Sequence, residues 1–150
     1  IEILRNRGAQ GKLPVFSFRV RGSSGDVIHH QLFTLMLSDV WGIQARGGCA
    51  CAGPYGHRLL DIDRSASDDI LELLDGSCEI EKPGWVRLNF SYLLSDEKAD
   101  YIIRAVDDLA RRANLFAAEY VGIGVTGRFE YRGAANVATE RQRVQESAHE

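Results

Sequence analysis

The length and composition of this sequence are those of one globular domain. With 150 residues, 45% of them hydrophobic and 26% charged, the chain can bury a core without disulfides or metal ions, and its profile is neither disordered nor membrane-spanning. A net charge of −3 with scattered basic residues argues against a nucleic-acid groove. The chain begins at Ile1 without an initiator methionine or a signal-like pattern, so we expect it to belong to a longer protein.

The first half of the chain predicts a strand, a helix and a second strand. Period-two alternation indicates a strand over residues 14–20. Asp26 is expected to cap a helix that runs to about residue 40 and that Gly42 ends. A short strand over residues 43–46 then leads into a loop of small residues, 47–54.

The second half predicts a short helix, a strand and the longest helix. The short helix covers residues 67–76, and residues 85–92 alternate as a half-buried strand. Ser95 is expected to cap a helix that continues to about residue 113, and residues 116–131 read as a weak strand or hairpin.

These elements predict an α/β fold, a two-layer sandwich in which helices pack on one face of a small mixed or antiparallel sheet. We expect residues 1–113 to form the domain, and residues 114–150 to be a C-terminal extension with a hairpin and a polar tail.

Cys51 is the first candidate for chemistry. It lies among small residues between Arg46 and His57, whose cationic forms would favour the thiolate. It could equally be a structural thiol, since Cys49, Cys51 and Cys78 are an odd number and predict reduced cytoplasmic cysteines. A metal clamp of Cys49, Cys51 and His57 is disfavoured because the spacing is not that of a zinc knuckle.

Arg87 is the second candidate. Alternation in its strand places it opposite the apolar face, where a guanidinium on a rigid strand suits bidentate capture of a carboxylate or phosphate. The alternative is a solvated arginine paired with a surface acid. The adjacent His29 and His30 lack the spacing of a helical metal pair and are expected to be structural or solvent-facing.

The segment around Cys51 resembles the active-cysteine motif of class V aminotransferases. Its nearest pattern is R-x-G-x-x-C-A-x-P, of group II cysteine desulfurases and selenocysteine lyases, which are fold type I enzymes dependent on pyridoxal phosphate (PLP). The fixed positions of that pattern are filled by Arg46, Gly48, Cys51, Ala52 and Pro54. Residues 83–95 resemble the last core strand and helix of the family's C-terminal small domain, with Arg87 at the position of its carboxylate-binding arginine, and residues 13–18 resemble its opening strand.

The resemblance, which covers about residues 12–113, implies an activity for the complete enzyme. Arg87 would hold the carboxylate of an amino acid substrate, Arg46 would support the loop and favour anions, and Cys51 would attack the substrate sulfur. PLP would be bound mainly by a preceding large domain, because Lys12, Lys82 and Lys98 lie in contexts unlike a Schiff-base site. The chain alone would be inactive. The complete protein would be a cytoplasmic homodimer with a possible sulfur-acceptor protein as partner, without a role for nucleic acid or membrane.

One departure from the family pattern leaves two alternatives open. Characterised desulfurases commonly have histidine before the reactive cysteine, whereas this chain has Ala50. The enzyme could therefore be a class V transaminase, epimerase or lyase in which Cys51 is not catalytic. The chain could also be a non-catalytic, stand-alone interaction domain.

Overall fold

A computed structural model of the chain describes residues 1–4, 13–48 and 53–133. Its elements in chain order are β1 (Glu2–Ile3), β2 (Val15–Arg21), β3 (Val27–Ile28), α1 (His30–Trp41), β4 (Arg46–Gly48), α2 (Gly53–Leu60), α3 (Arg64–Asp75), a 3-10 turn (Glu79–Glu81), β5 (Trp85–Asn89), α4 (Asp96–Arg111), α5 (Ala113–Ala117), β6 (Tyr120–Ile123) and β7 (Arg128–Tyr131).

The strands of the described residues form two antiparallel sheets. The larger has the order β1-β2-β5-β4, with β3 paired to β2, and the smaller is the β6-β7 hairpin. The helices pack against this sheet, which confirms the predicted two-layer α/β class. None of the described helices is long and apolar enough to cross a bilayer.

The core lies between one face of the large sheet and the helices α1 and α4. Alternation along β2 and β5 turns Phe18, Val20, Val86 and Leu88 to this face, and all four are buried. The residues that are most completely buried are Phe33, Met36, Leu37, Leu109, Val20 and Val86. Burying each such side chain contributes about 1.5–3 kcal/mol, so this layer is the main source of stability.

Two predicted helix ends are confirmed by their caps. The Ser95 hydroxyl accepts a hydrogen bond from the backbone N–H of Lys98 at the start of α4. Gly42 ends α1 with a left-handed backbone (φ 65°), and its N–H is bonded to the carbonyls of Leu37 and Ser38. On α4, Ile103 is 57% exposed, whereas Ala105 is fully buried.

The predicted start of α1 was wrong. Asp26 does not cap a helix, because the two β-branched residues that follow it, Val27 and Ile28, pair with β2 as a short hairpin. The turn is closed by a 2.8 Å hydrogen bond from the Gly22 N–H to the Asp26 carbonyl. Helix α1 begins at His30, and His29 caps it.

The predicted boundaries around the cysteine loop were also shifted. The strand expected over residues 43–46 is Arg46–Gly48, and Ile43 is instead buried just after α1. The loop predicted over residues 47–54 overlaps regular structure at both ends, since β4 includes Gly48 and α2 begins at Gly53. Pro54 lies in the first turn of α2, a position that proline tolerates well.

The hairpin expected near residues 116–131 is present as β6 and β7. Tyr120 belongs to the same buried cluster as Ala113, and its hydroxyl donates a 3.0 Å hydrogen bond to Asp39 Oδ2 on α1. The hairpin therefore packs on the core formed by the preceding helices. The polar tail predicted beyond it lies outside the described residues from 134 onward.

Candidate functional site

The two arginines singled out from the sequence are direct neighbours on adjacent strands. Arg46 of β4 is paired in register with Arg87 of β5, and Arg87 is in turn paired with Ser17 of β2. Directly opposed residues of antiparallel strands share one face, with Cβ atoms about 4.5–5.5 Å apart. Ser17, Arg87 and Arg46 thus form a row across the sheet, which we call the arginine row.

No carboxylate in the described part of the chain neutralises the arginine row. All six ion pairs found there involve other cations, and neither guanidinium of Arg46 and Arg87 makes a side-chain hydrogen bond to another described residue. Arg19, one step along β2, is different. Its Nη2 atom is 2.8 Å from Glu2 Oε1, and this hydrogen bond is the largest cause of the lowered pKa of Glu2. Like charges in direct opposition are destabilising, so the row is suited to an anion from outside these residues.

The arginine row lies on the face of the sheet opposite the core. Arg87 alternates with the core residues Val86 and Leu88, and it is half-buried, whereas Arg46 is exposed. Trp85 shares this second face and is 3% exposed. It is covered by α2, where a methyl group placed on Gly56 would lie 3.8 Å from Trp85 Cζ3. Helix α2 therefore covers the face beside the row, in which Arg46 is exposed and Arg87 is half-buried.

Cys49 and Cys51 lie outside the described residues, so their predicted roles remain predictions. The two ends of their loop are described. Gly48 is paired with Trp85, and Gly53 begins α2, whose Gly56 rests on the same tryptophan. The loop therefore connects the end of β4 to the helix that covers Trp85 on the face of the arginine row. Cys51 is two residues before the first residue of α2, a relation that the sequence did not predict.

His57 is held by two neighbours. Its Nδ1 is 2.7 Å from the carbonyl oxygen of Gly53, to which it donates, and its Nε2 is 3.1 Å from the Ser67 hydroxyl. These bonds tie α2 to α3. Within residues 1–4, 13–48 and 53–133, no group of three or more histidine, cysteine, aspartate or glutamate side chains could hold a metal ion.

His29 and His30 serve the packing of α1. His29 Nδ1 accepts the Gln31 N–H, and its Nε2 donates to the Ile80 carbonyl at 2.9 Å. The His30 ring is buried and stacks on His29 with a centroid distance of 4.3 Å. Burial lowers the pKa of both rings; for His30, burial and the neighbouring His29 bring it to about 4.

His30 also underlies the strand that carries Arg46. A methyl group on Gly84, just before β5, would lie 2.7 Å from His30 Cε1 and 2.8 Å from the Gly48 carbonyl carbon. On Gly47 it would lie 3.0 Å from the His30 carbonyl oxygen. At this point next to the arginine row, three segments come into close contact. They are the start of α1, strand β4 and the residue that precedes β5.

Neither lysine in the described residues offers a Schiff-base anchor beside the arginine row. Lys82 Nζ is 3.1 Å from Glu79 Oε2 in an ion pair. Lys98 is exposed on α4, which packs on the opposite face of the sheet. Neither of these two lysines could therefore form a Schiff base beside the row, and Lys12 lies outside the described residues.

Comparison with protein-family models gave no match to this chain. No curated protein and no solved structure is significantly similar to it either. The resemblance to class V aminotransferases consequently rests on the motif residues themselves, and the geometry of the arginine row is an independent observation.

Proposed function

We propose that this chain is the substrate-binding C-terminal part of a cytoplasmic, PLP-dependent enzyme of the class V aminotransferase type, with cysteine desulfurase or selenocysteine lyase activity. The observation that carries the proposal is the register of β4 and β5. It sets Arg46 opposite Arg87 on the open face of the sheet, beside both ends of the loop that carries Cys51.

The arginine row supports binding of an amino acid through its α-carboxylate. A guanidinium presents paired N–H donors that match the two oxygens of a carboxylate, and charge-assisted bonds of this kind are roughly twice as strong as neutral ones. Arg87 is on an inner strand and is half-buried, so it is the better-fixed of the two. Arg46, exposed on β4, adds a second positive charge and leads into the cysteine loop.

The position of α2 supports a reactive thiol at Cys51. The N-terminus of a helix carries a partial positive charge, which favours a thiolate close to it. Cys51 is two residues before α2 and three residues after Gly48, a separation that about 10 Å of backbone can span. This tether is short enough for the thiol to reach a substrate held by the arginine row.

The chemistry proposed for Cys51 is transfer of one sulfur atom. Its thiolate attacks the sulfur of substrate cysteine, an S–S bond forms, and the substrate Cβ–S bond breaks. The electron pair of the broken bond stays with the three-carbon fragment, which takes up a proton and leaves as alanine. PLP, when bound, supplies the electron sink that makes this bond weak. A persulfide remains on Cys51 for a sulfur-acceptor protein.

The complete protein is required to test this proposal, since a preceding large domain is proposed to hold PLP. The assay incubates it with L-cysteine and dithiothreitol and measures sulfide and alanine. We expect Cys51→Ala to abolish both products, and we expect Cys78→Ala, a matched loss of a half-buried thiol elsewhere, to keep them. If Cys51→Ala keeps most of its rate with an amino acid substrate, the enzyme is a transaminase, epimerase or lyase and Cys51 is not its nucleophile.

A further inference from the structure

An apolar groove lies open at the β1 edge of the large sheet, on the core face. It runs between the first two strands and α4, with the buried Phe18 and Leu88 as its floor, and has a volume of about 690 Å³. Ile3 is paired in register with Phe18, so both side chains point to this face. Four of the large side chains that line the groove are between 46% and 57% exposed: Ile1, Ile3, Phe16 and Ile103. The described residues therefore leave this part of the core face uncovered.

The exposed apolar area of the groove has the size of an interaction site. About half of each of these four side chains, roughly 100 Å² apiece, gives about 400 Å². The largest apolar patch of a monomeric protein is about 300–600 Å² and is often functional. A specific interface buries about 800 Å² per partner, so the apolar lining supplies half of one and polar neighbours must supply the rest.

Four charged side chains of alternating sign border the groove on α4. Asp100, Arg104, Asp107 and Arg111 are spaced four, three and four residues apart, which places them within about 60° of one another around the helix. All four are more than half exposed, and two of them, Arg104 and Asp107, also line the groove beside Ile103. Arg104 is held only loosely within the helix, since its Nη2 is 3.9 Å from Asp100 Oδ2. We call these four residues the α4 charge stripe.

The α4 charge stripe is complementary to itself. When two copies of α4 lie antiparallel around a two-fold axis between positions 105 and 106, Asp100 faces Arg111 of the second copy. Arg104 then faces Asp107 of that copy, and the axis repeats both pairs, so every charge meets its opposite. The axis also keeps the groove sides of the two helices together, with Ile103 of each copy on that side.

We propose that the α4 charge stripe and the groove beside it form an isologous interface with a second copy of this chain. The ion pairs would set the orientation and register of the two copies, and burial of the groove lining would supply most of the affinity. The alternating signs select this occupant. A small apolar ligand would not use the stripe, and a partner with charges of one sign would be repelled by half of it.

This interface does not depend on the enzymatic proposal. The groove lies on the core face of the sheet, whereas the arginine row lies on the opposite face. A domain that brings PLP to the arginine row would therefore lie on the other side of the sheet and leave α4 to the second copy.

Sedimentation velocity of the 150-residue chain in reducing buffer, over about 1–500 µM, tests the interface. We expect a reversible dimer. Arg104→Glu and Asp107→Lys should each raise its dissociation constant at least about tenfold, because two pairs across the axis change from attraction to repulsion. Ile103→Asn should weaken the dimer by a similar factor, because it removes apolar area from the groove.

Exchange of the charges provides the control. The double variant Arg104→Glu/Asp107→Lys again places opposite charges across the axis and should dimerise like the parent chain. An equal mixture of the two single variants should form a mixed dimer for the same reason. Arg128→Glu and Val125→Asn, at exposed sites of the β6-β7 hairpin, should leave association unchanged. Circular dichroism checks that each variant is folded.

Three results would overturn the dimer proposal. A chain that stays monomeric at about 500 µM would leave the groove to a small apolar ligand or another protein. A dimer that survives both single reversals would use a different surface. Folded double variants or mixtures that fail to associate would contradict the antiparallel pairing. Should the reversals unfold the chain, the parent dimer decides the question: it should weaken at high salt, and one that tightens is not held in register by ion pairs.

Discussion

Arg46 and Arg87 are register partners on neighbouring antiparallel strands, and no described carboxylate lies between or beside them in an ion pair. Two cations in direct opposition cost free energy in the ligand-free protein. Such an arrangement is useful where an anion binds between the side chains. The relationship was not predictable from either residue alone, because it depends on which strands become neighbours.

The ligand-free chain should carry a small energetic cost from this pair. We expect Arg46→Gln to leave the free energy of unfolding unchanged or raise it by about 0.2–0.5 kcal/mol, because the replacement removes a repulsion. This increase in the free energy of unfolding should vanish in the Arg87→Gln background, and also at high salt, where charges are screened. Urea unfolding measures it, with Arg128→Gln on the exposed β7 as control. A loss of more than 1 kcal/mol in Arg46→Gln would show a packing role instead.

Cys51 should be the most reactive thiol of the chain. In the proposed function the N-terminus of α2 and Arg46 would favour its thiolate, whereas Cys78 lies half-buried after α3. We expect iodoacetamide at neutral pH to modify Cys51 at least about fivefold faster than Cys78, as followed by peptide mass spectrometry. Arg46→Gln should slow the reaction at low salt.

Unfolding supplies the control for that reactivity. In concentrated urea the three cysteines should react at similar rates, since no folded structure then distinguishes their surroundings. If Cys51 reacts no faster than Cys78 in the folded chain, the proposed activation of its thiol is wrong.

Gly84→Ala should destabilise the fold and disturb the arginine row together. The added methyl group would lie 2.7 Å from His30 Cε1 and 2.8 Å from the Gly48 carbonyl carbon, so α1 or β4 must shift. Overpacking of this kind costs about 1–3 kcal/mol. Thermal or urea unfolding measures it. Gly124→Ala is the matched control, because a methyl group there meets no atom within 4 Å. Equal stability of the two variants would contradict the close packing described.

The two histidines at the start of α1 should make the protein sensitive to acid. The pKa of His30 falls from 6.5 in the unfolded chain to about 4 in the folded one, so between these values the unfolded state binds more protons. Stability is therefore complete above about pH 6.5 and is lost as the pH falls towards 4. The loss from His30 is at most about 3 kcal/mol.

Unfolding curves across this pH range test the linkage, and His30→Phe should flatten the slope. Should that variant fail to fold, NMR titration of the His30 ring in the parent chain gives its pKa directly. A folded-state pKa of 6.5 or above would contradict the burial described here.

The sequence predicted best where local chemistry decides the outcome. Ser95 and Gly42 have side-chain or backbone properties that fix a helix end regardless of what packs nearby, and the alternation around Val86 and Leu88 fixes which face is buried. The fold class follows from such signals. They also placed Arg87 on the face away from the core.

The sequence predicted less well where contacts between distant segments decide the structure. Asp26 is a good cap in isolation, but the pairing of Val27 and Ile28 with β2 extends the sheet and delays the helix. The closeness of His30 to Gly84, and the opposition of Arg46 to Arg87, join segments that are distant in the chain. No local pattern encodes either contact.

The most direct test of the central claim is a titration of the 150-residue chain with L-serine, an unreactive amino acid, followed through the arginine Nε–Hε signals in NMR. Single Arg→Lys variants assign the signals. We predict that Arg46 and Arg87 shift together with one dissociation constant, while Arg19, already paired with Glu2, does not move. Shifts at only one of the two, or movement of Arg19 without them, would contradict a shared carboxylate site.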